Sequence, residues 1–184
     1  MSSVMTLYGA VPATVLQRAA AIRLLICDVD GVLSNGLIYL GNNGEEFKAF
    51  CTRDGAGMKA VMKAGVDIGV ITGRNSRIVS DRMQNLGVRH LVQGADDKLP
   101  HFEQLLAKLG LSAEQAAYIG DDTIDLPVMR ACGLGIAVAD AHPLVVREAD
   151  YVTRIGGGLG AVREVCDLLL QARGLLPSEG EASV

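Results

Sequence analysis

The sequence has no cluster of lysine and arginine residues, and its formal net charge at pH 7 is -4. Binding to a nucleic-acid backbone requires a concentrated positive surface. The composition therefore argues against a nucleic-acid partner. A small anionic substrate remains compatible with it, because a few local cations are enough to bind one.

Paired cysteines are also missing. The four cysteines are scattered along the chain, at Cys27, Cys51, Cys132 and Cys166, and no two form a C-x-x-C pair. This spacing indicates neither a zinc knuckle nor a disulfide scaffold. Buried free thiols in a reducing cytoplasm are the simpler interpretation.

Long apolar runs are absent as well. The N-terminus lacks a basic segment followed by an unbroken apolar one, and no later run approaches the roughly 20 residues that span a bilayer. We therefore expect a cytoplasmic protein with no membrane partner.

The chain is nevertheless long enough, at 184 residues and 49% hydrophobic composition, to bury one substantial core. We predict a single domain over residues 1–184. Its core lies at about residues 21–174, with a β-hairpin at about 36–50 and a disordered tail at 175–184.

Short apolar runs alternate with segments of helical spacing. The runs predict strands near residues 22–27, 66–71, 89–92, 116–119, 134–138 and 150–153, and helices are expected from residues 13, 54, 78, 99, 143 and 159, with Asp54 as an N-cap. This alternation predicts an α/β fold, a Rossmann-like three-layer sandwich with a mainly parallel sheet. The ligand site is expected at the edge where the strands end.

The first of these strands ends abruptly in two carboxylates, Asp28 and Asp30. Like charges at a buried strand end repel each other, so a cation between them is favoured, and Mg²⁺ prefers such oxygen ligands. The residues alone also allow a plain polar turn, in which aspartate and glycine serve the turn geometry.

Further polar residues follow the other strands. Thr72 follows the second main strand, Asp121, Asp122 and Asp125 follow the fourth, and Lys98 opens a helix. With the first two aspartates they supply a carboxylate nucleophile, a second carboxyl for proton transfer, groups for phosphoryl oxygens and ligands for a divalent cation. This combination indicates phosphoryl transfer.

Four segments resemble, in order, the motifs of the haloacid dehalogenase-like phosphohydrolases: Asp28-Val29-Asp30-Gly31-Val32, Thr72-Gly73, Lys98 and Gly120-Asp121-Asp122. Within that family, the stretches around residues 36–46, 53–55, 139–143 and 151–157 resemble a capless group that acts on the phosphate of an eight-carbon keto-deoxy sugar acid. The resemblance implies a magnesium-dependent phosphatase of lipopolysaccharide biosynthesis that works through an aspartyl-phosphate.

The resemblance also implies roles for the catalytic residues. Asp28 would be the nucleophile, and Asp30 the acid that protonates the leaving group and then activates water. Thr72 and Lys98 would hold the phosphoryl oxygens. Mg²⁺ would be held by the Asp28 side chain, the Asp30 backbone carbonyl and Asp121, with Asp122 orienting Lys98 and Asp125 supporting the metal ligands.

For the sugar acid, the resemblance points to seven residues in addition to Asp30 and Lys98: Thr52, Arg53, Asp54, Gly55, Lys59, Arg74 and Arg82. Arg74 is favoured, because it directly follows Thr72-Gly73. For Arg82 and Lys59 a solvent-facing position on a helix is an equally good interpretation.

The small hairpin is too short to seal a pocket, so the resemblance implies a homotetramer assembled through the hairpins. Three alternatives remain open. One is a phosphatase of another nonulosonate or sugar phosphate. Another is a catalytically silent regulatory domain of this fold, which the intact acidic motifs disfavour. The third is a phospho-acceptor receiver domain, whose acceptor would end the third strand, where this chain has Val92-Gln93-Gly94.

Overall fold

A computed structural model describes residues 2–176 of the chain. The strands are β1 (Ser3–Thr6), β2 (Gly9–Pro12), β3 (Leu24–Cys27), β4 (Tyr39–Leu40), β5 (Glu46–Phe47), β6 (Asp67–Ile71), β7 (His90–Val92), β8 (Ala116–Gly120), β9 (Leu134–Ala137) and β10 (Tyr151–Val152). The helices are α1 (Ala13–Ala21), α2 (Thr52–Lys63), α3 (Arg77–Leu86), α4 (Leu99–Leu109), α5 (Leu126–Ala131), α6 (Pro143–Glu148) and α7 (Ala161–Ala172).

The central sheet has six strands in the order β10-β9-β8-β3-β6-β7, and all of its pairings are parallel. From β3 the chain builds outward through β6 and β7, then returns to the other side of β3 to add β8. The direction of winding therefore reverses between β3 and β8, which is where ligands bind in sheets of this kind.

Successive side chains of β3 point to opposite faces of the sheet, because the side-chain period of a strand is two. Leu25 and Cys27 join the core beneath α1, α2, α3 and α7, whereas Leu24 and Ile26 join the core beneath α4, α5 and α6. All four side chains are fully buried. The α/β three-layer prediction is thus confirmed.

The predicted hairpin is present but small. Strands β4 and β5 contain two residues each and form an antiparallel pair of their own, apart from the main sheet, with Tyr39 opposite Phe47 and Leu40 opposite Glu46. Among the described residues, no helix combines the length and the apolar character needed to cross a membrane.

The prediction that Asp54 caps a helix beginning there is wrong. Helix α2 already begins at Thr52, and no side chain caps it. Asp54 is instead buried and accepts a hydrogen bond from the backbone N–H of Arg163, at 2.7 Å, in the first turn of α7. It therefore fixes one helix to another.

Both ends of the chain differ from expectation. Strands β1 and β2 form an antiparallel N-terminal hairpin that was not predicted. The backbone N–H of Leu175 donates to the carbonyl of Leu170, and Leu176 packs against the core, so a disordered tail from residue 175 is wrong for these two residues. The remainder of that predicted tail, residues 177–184, lies outside the described residues.

A buried carboxyl stabilises the loop between β10 and α7. Glu164 is fully buried, and its oxygens accept hydrogen bonds from the hydroxyl of Tyr151 at 2.6 Å and from the backbone N–H groups of Arg154 and Ile155. Three donors therefore depend on one side chain.

We expect Glu164→Ala to lower the free energy of unfolding by about 3 kcal/mol, because each buried donor left without an acceptor costs roughly 1–3 kcal/mol. Urea denaturation measures the change. Glu103→Ala, at an exposed position of α4, is the matched control and should have little effect. Equal stability of the two variants would contradict the role given to Glu164.

Candidate active site

A cavity of about 300 Å³ lies at the edge of the sheet where β3, β6 and β8 end. Nine residues line it: Asp28, Asp30, Thr72, Gly73, Arg74, Lys98, Asp121, Asp122 and Ile124. The separate polar signals of the sequence therefore converge in space, as expected for residues that follow parallel strands.

Asp28 is the first residue after β3 and is almost fully buried. Burial raises the pKa of its carboxyl to about 6, although the ammonium of Lys98, at 2.9 Å, opposes this shift. The nearby charge of Asp125 raises this pKa further. Asp28 is thus a carboxylate held out of water beside one fixed cation.

Lys98 is anchored by a buried network. Its ammonium lies 2.7 Å from Asp125 Oδ1 and 3.2 Å from the hydroxyl of Tyr118, which itself donates to the same Asp125 oxygen at 2.6 Å. Burial lowers the pKa of Lys98, but the charges of Asp28 and Asp125 raise it more, so the net shift is upward. Lys98 is therefore held as a cation.

The predicted orientation of Lys98 by Asp122 is wrong. Asp125 makes the contact, whereas the carboxylate of Asp122 accepts from the backbone N–H of Thr123 at 2.7 Å. The reason is local, because Asp122 starts the 3₁₀ turn Thr123–Asp125 and its side chain is used as a cap.

The contact of Tyr118 with Lys98 and Asp125 was not predicted, because nothing in an apolar strand marks one hydroxyl as part of a site.

Three carboxylates, of Asp28, Asp121 and Asp125, have oxygens within 4.8 Å of one another. Burial raises the pKa of Asp121 to about 8, and the charges of the neighbouring aspartates add to the shift. The site thus carries more negative charge than Lys98 balances, and its donors are hard oxygens. Both properties fit a divalent cation such as Mg²⁺.

The oxygens of Asp125 are already used by the protein. Oδ1 accepts from Lys98 and Tyr118, and Oδ2 accepts from the backbone N–H groups of Asp121 and Asp122. Asp28 and Asp121 are therefore the side chains that the geometry leaves available to a metal. Asp125 fits the supporting position that the sequence argument gave it.

The turn after Asp28 is enclosed by backbone on one side and by a carboxylate on the other. Gly31 has φ +92°, and a Cβ there would overlap the carboxylate of Asp121. A Cβ on Gly157 would overlap the carbonyl oxygen of Gly31, and the N–H of Gly158 donates to the carbonyl of Val32 at 2.8 Å. The loop before α7 therefore packs directly on the turn that follows Asp28.

The Asp30 side chain lies apart from the three clustered carboxylates. Its Oδ1 forms an ion pair with Lys48 and lies 3.4 Å from the hydroxyl of Ser34, and its Oδ2 lies 3.9 Å from Arg74 Nε. Lys48, at the base of the hairpin, was missed, because no motif or periodicity marks it.

Thr72 and Arg74 follow β6 and so lie on the opposite side of β3 from Asp121, which follows β8. Thr72 directly follows β6, is buried, and is held by main-chain hydrogen bonds to Val92 and Ala95. Arg74 stands two residues further on, with about half of its side chain exposed. Both therefore border the cavity from the β6 side.

The remaining predicted substrate residues do not line this cavity: Thr52, Arg53, Asp54, Gly55, Lys59 and Arg82. Arg53 donates to the carbonyl of Leu159 at 2.7 Å, and the Arg82 guanidinium lies 5.9 Å from the centre of the Phe50 ring. Lys59 is exposed. Their part in substrate binding stays a prediction.

A family model described as haloacid dehalogenase-like hydrolase matches residues 90–156. A 3-deoxy-D-manno-octulosonate 8-phosphate phosphatase of Escherichia coli strain K12 is 58% identical over 175 residues, which are 95% of this chain and 93% of that protein.

Two solved structures are similar over most of the chain. A 3-deoxy-D-manno-octulosonate 8-phosphate phosphatase from Yersinia pestis has a TM-score of 0.94 and 57% identity, with 95% of each chain covered. Its counterpart from Moraxella catarrhalis, solved with a magnesium ion, a phosphate ion and a KDO molecule, has a TM-score of 0.87 and 43% identity, covering 89% of this chain and 94% of that one.

The raised pKa values give a testable link between pH and metal. Ionisation of Asp28 and Asp121 costs stability in the metal-free protein, because their pKa values rise from 3.8 to about 6 and about 8. Their contribution is fully favourable below about pH 4 and is lost as the pH rises through these values. A bound divalent cation should offset that loss.

We therefore expect MgCl₂ to raise the melting temperature more at about pH 8.5 than at about pH 5.5. In EDTA at the higher pH, Asp121→Asn should melt above the wild type and should respond weakly to magnesium. Asp81→Asn, on the exposed face of α3, is the control. A magnesium shift that is the same at both pH values would contradict the assignment.

Proposed function

Since the chain belongs to the 3-deoxy-D-manno-octulosonate 8-phosphate phosphatase family of the haloacid dehalogenase-like hydrolases, we propose that it hydrolyses this phosphate to 3-deoxy-D-manno-octulosonate and inorganic phosphate. The observation that carries the proposal is the single cavity in which Asp28, Lys98 and Asp121 meet. The magnesium, phosphate and KDO bound by the Moraxella catarrhalis protein are the ligands that this reaction requires or releases.

In the proposed reaction, an Asp28 oxygen attacks phosphorus and forms an aspartyl-phosphate as the bond from phosphorus to the sugar oxygen breaks. The Lys98 ammonium, 2.9 Å from Asp28 Oδ1, and the Thr72 hydroxyl hold the phosphoryl oxygens in place. Mg²⁺, bound by Asp28, the Asp30 backbone carbonyl and Asp121, would reduce the repulsion between the carboxylate and the phosphate.

Asp30 acts as acid and then as base in this scheme. Its carboxyl gives a proton to the departing sugar oxygen, and in the second half it takes a proton from the water that cleaves the acyl phosphate. Its side chain is suited to this work, because it borders the cavity but lies outside the carboxylate cluster that fits the metal.

Arg74 is the proposed contact for the sugar-acid carboxylate, because it borders the cavity and about half of its side chain is exposed. The residues around Thr52 and the exposed Lys59 reach a substrate in this scheme only where a neighbouring subunit brings them to the cavity. The four cysteines are free thiols, which agrees with the cytoplasmic location that we propose.

The test of function is phosphate release from a panel of sugar phosphates, with and without magnesium. We expect 3-deoxy-D-manno-octulosonate 8-phosphate to be turned over with a kcat/KM about 10–150-fold above that of neutral hexose phosphates, because a hydrogen bond to a charged group contributes about 1.5–3 kcal/mol. Asp28→Asn should abolish turnover and phosphoenzyme formation. Equal turnover of neutral hexose phosphates would defeat the substrate assignment, and a preference for another nonulosonate phosphate would favour that alternative.

We further propose that the protein forms a homotetramer through its hairpins. Tyr39 and Phe47 are opposite each other on one face of the hairpin, and more than half of the surface of each residue, and of the nearby Leu37, is exposed. Such an apolar patch is typical of a protein interface. The open cavity would then gain a wall from a neighbouring subunit.

Light scattering at micromolar concentration should show a tetramer for the wild type. Tyr39→Ser combined with Phe47→Ser should give smaller species with a reduced turnover, because the apolar contact is removed. Leu144→Ser, at an exposed leucine of α6, is the control and should leave the tetramer intact. A fully active wild-type monomer would refute the proposal.

A further inference from the structure

Lys48 is a cation with no contact to solvent. Its side chain has no accessible surface, and its ammonium pairs with the carboxylate of Asp30 and lies 3.5 Å from Glu46 Oε1. Burying an ammonium is costly unless carboxylates compensate for the lost water, so the position is specific. No sequence motif pointed to it, and the proposed reaction has not yet used it.

The contact between the hairpin and Asp30 is made by Lys48, on the side opposite to the apolar residues Tyr39 and Phe47. Within β5 the side chains of Glu46 and Phe47 point to opposite faces, and the Lys48 ammonium is on the Glu46 side, because it lies 3.5 Å from Glu46 Oε1. Glu46 Oε1 is buried and has no hydrogen-bond partner among the described residues, and the Lys48 ammonium is the charge that faces it. Lys48 is thereby held between a hairpin carboxylate and a catalytic one.

We infer that Lys48 is a positioning residue for Asp30. The pair with Lys48 keeps the Asp30 side chain beside the cavity and away from the cluster of Asp28 and Asp121. A second cation near Asp30, Arg74, is half exposed and 3.9 Å away, so it constrains the carboxyl much less. This inference rests on the proposed function, because it gives Lys48 a task in the acid–base steps.

Lys48 acts in this scheme through the charge of Asp30, which changes in each half-reaction. In the first half-reaction the Asp30 proton moves to the leaving oxygen while the bond from Asp28 to phosphorus forms, and Asp30 is left as a carboxylate next to the Lys48 ammonium. In the second half, Asp30 takes a proton from the attacking water. Lys48 keeps its own protons throughout and supplies only charge and orientation.

The test compares leaving groups that differ in their need for a proton. Lys48→Met keeps the length of the stem and removes the charge. We expect it to slow phosphoenzyme formation, measured by rapid quench, about 10–100-fold for the sugar phosphate and for phenyl phosphate, but less than about threefold for 4-nitrophenyl phosphate, whose leaving group needs no acid. Lys48→Arg should recover most of the rate, because it restores the charge.

Controls distinguish an effect on the position of Asp30 from a loss of folded protein and from a failure of the proposed function. Asp30→Asn should give the same dependence on leaving group in a stronger form, and Lys108→Met, at an exposed lysine of α4, should have no effect. The ratio of two esters measured on one sample does not depend on the folded fraction. The phenyl and nitrophenyl pair reports on Lys48 even where the natural substrate is another phosphate, which the wild-type panel decides separately.

Three results would overturn the inference. Lys48→Met could slow all three esters by one factor, which would indicate a general structural role. It could raise KM for the sugar phosphate at an unchanged rate of phosphoenzyme formation, which would indicate direct substrate binding. It could also leave every rate unchanged, and then the ion pair has no catalytic consequence.

Discussion

The active site depends on one buried ammonium shared by two carboxylates. Lys98 contacts both Asp28 and Asp125, and all three side chains are almost inaccessible to water. Such a group is favourable only as a complete set, because removal of one partner leaves an uncompensated charge in the interior. The strands β3 and β8 and the start of α4 are consequently fixed relative to one another, and the cavity takes its shape from that constraint.

The same constraint separates two aspartates of identical chemistry. Asp28 is held beside Lys98 and within the acidic cluster, where its oxygens serve the cation and phosphorus in the proposed reaction. Asp30 turns toward Lys48 and Ser34, where a proton can be exchanged with the cavity. In the proposed mechanism, environment rather than residue type therefore assigns the two roles, which is the general way in which one kind of carboxyl performs two tasks at one pH.

Much of this arrangement follows from the sequence, because the governing rule is topological. Residues after parallel strands meet at one edge, so Asp28, Thr72 and Asp121 could be placed together from their positions alone. The sequence-based predictions are wrong where a side chain binds a partner that is remote in the sequence, or where a local turn uses the side chain instead. Asp54 looked like a cap for its own helix but binds the N–H of Arg163, and Asp122 was drawn into a cap while Asp125 took its expected contact. Lys48 belongs to a two-stranded hairpin whose direction no pattern specifies.

The small hairpin carries both an exposed apolar face and the contact with Asp30. One of its faces presents Tyr39 and Phe47 to the outside, and Lys48, on the other side, pairs with Asp30, the proposed acid. An isolated two-stranded hairpin is marginally stable, so a contact that covers it also orders it. The two faces are coupled, because neighbouring residues of a strand share one backbone. Contact on the outer face therefore also restricts the inner one. The proposed assembly and the proposed placement of the acid are then two consequences of the same few residues.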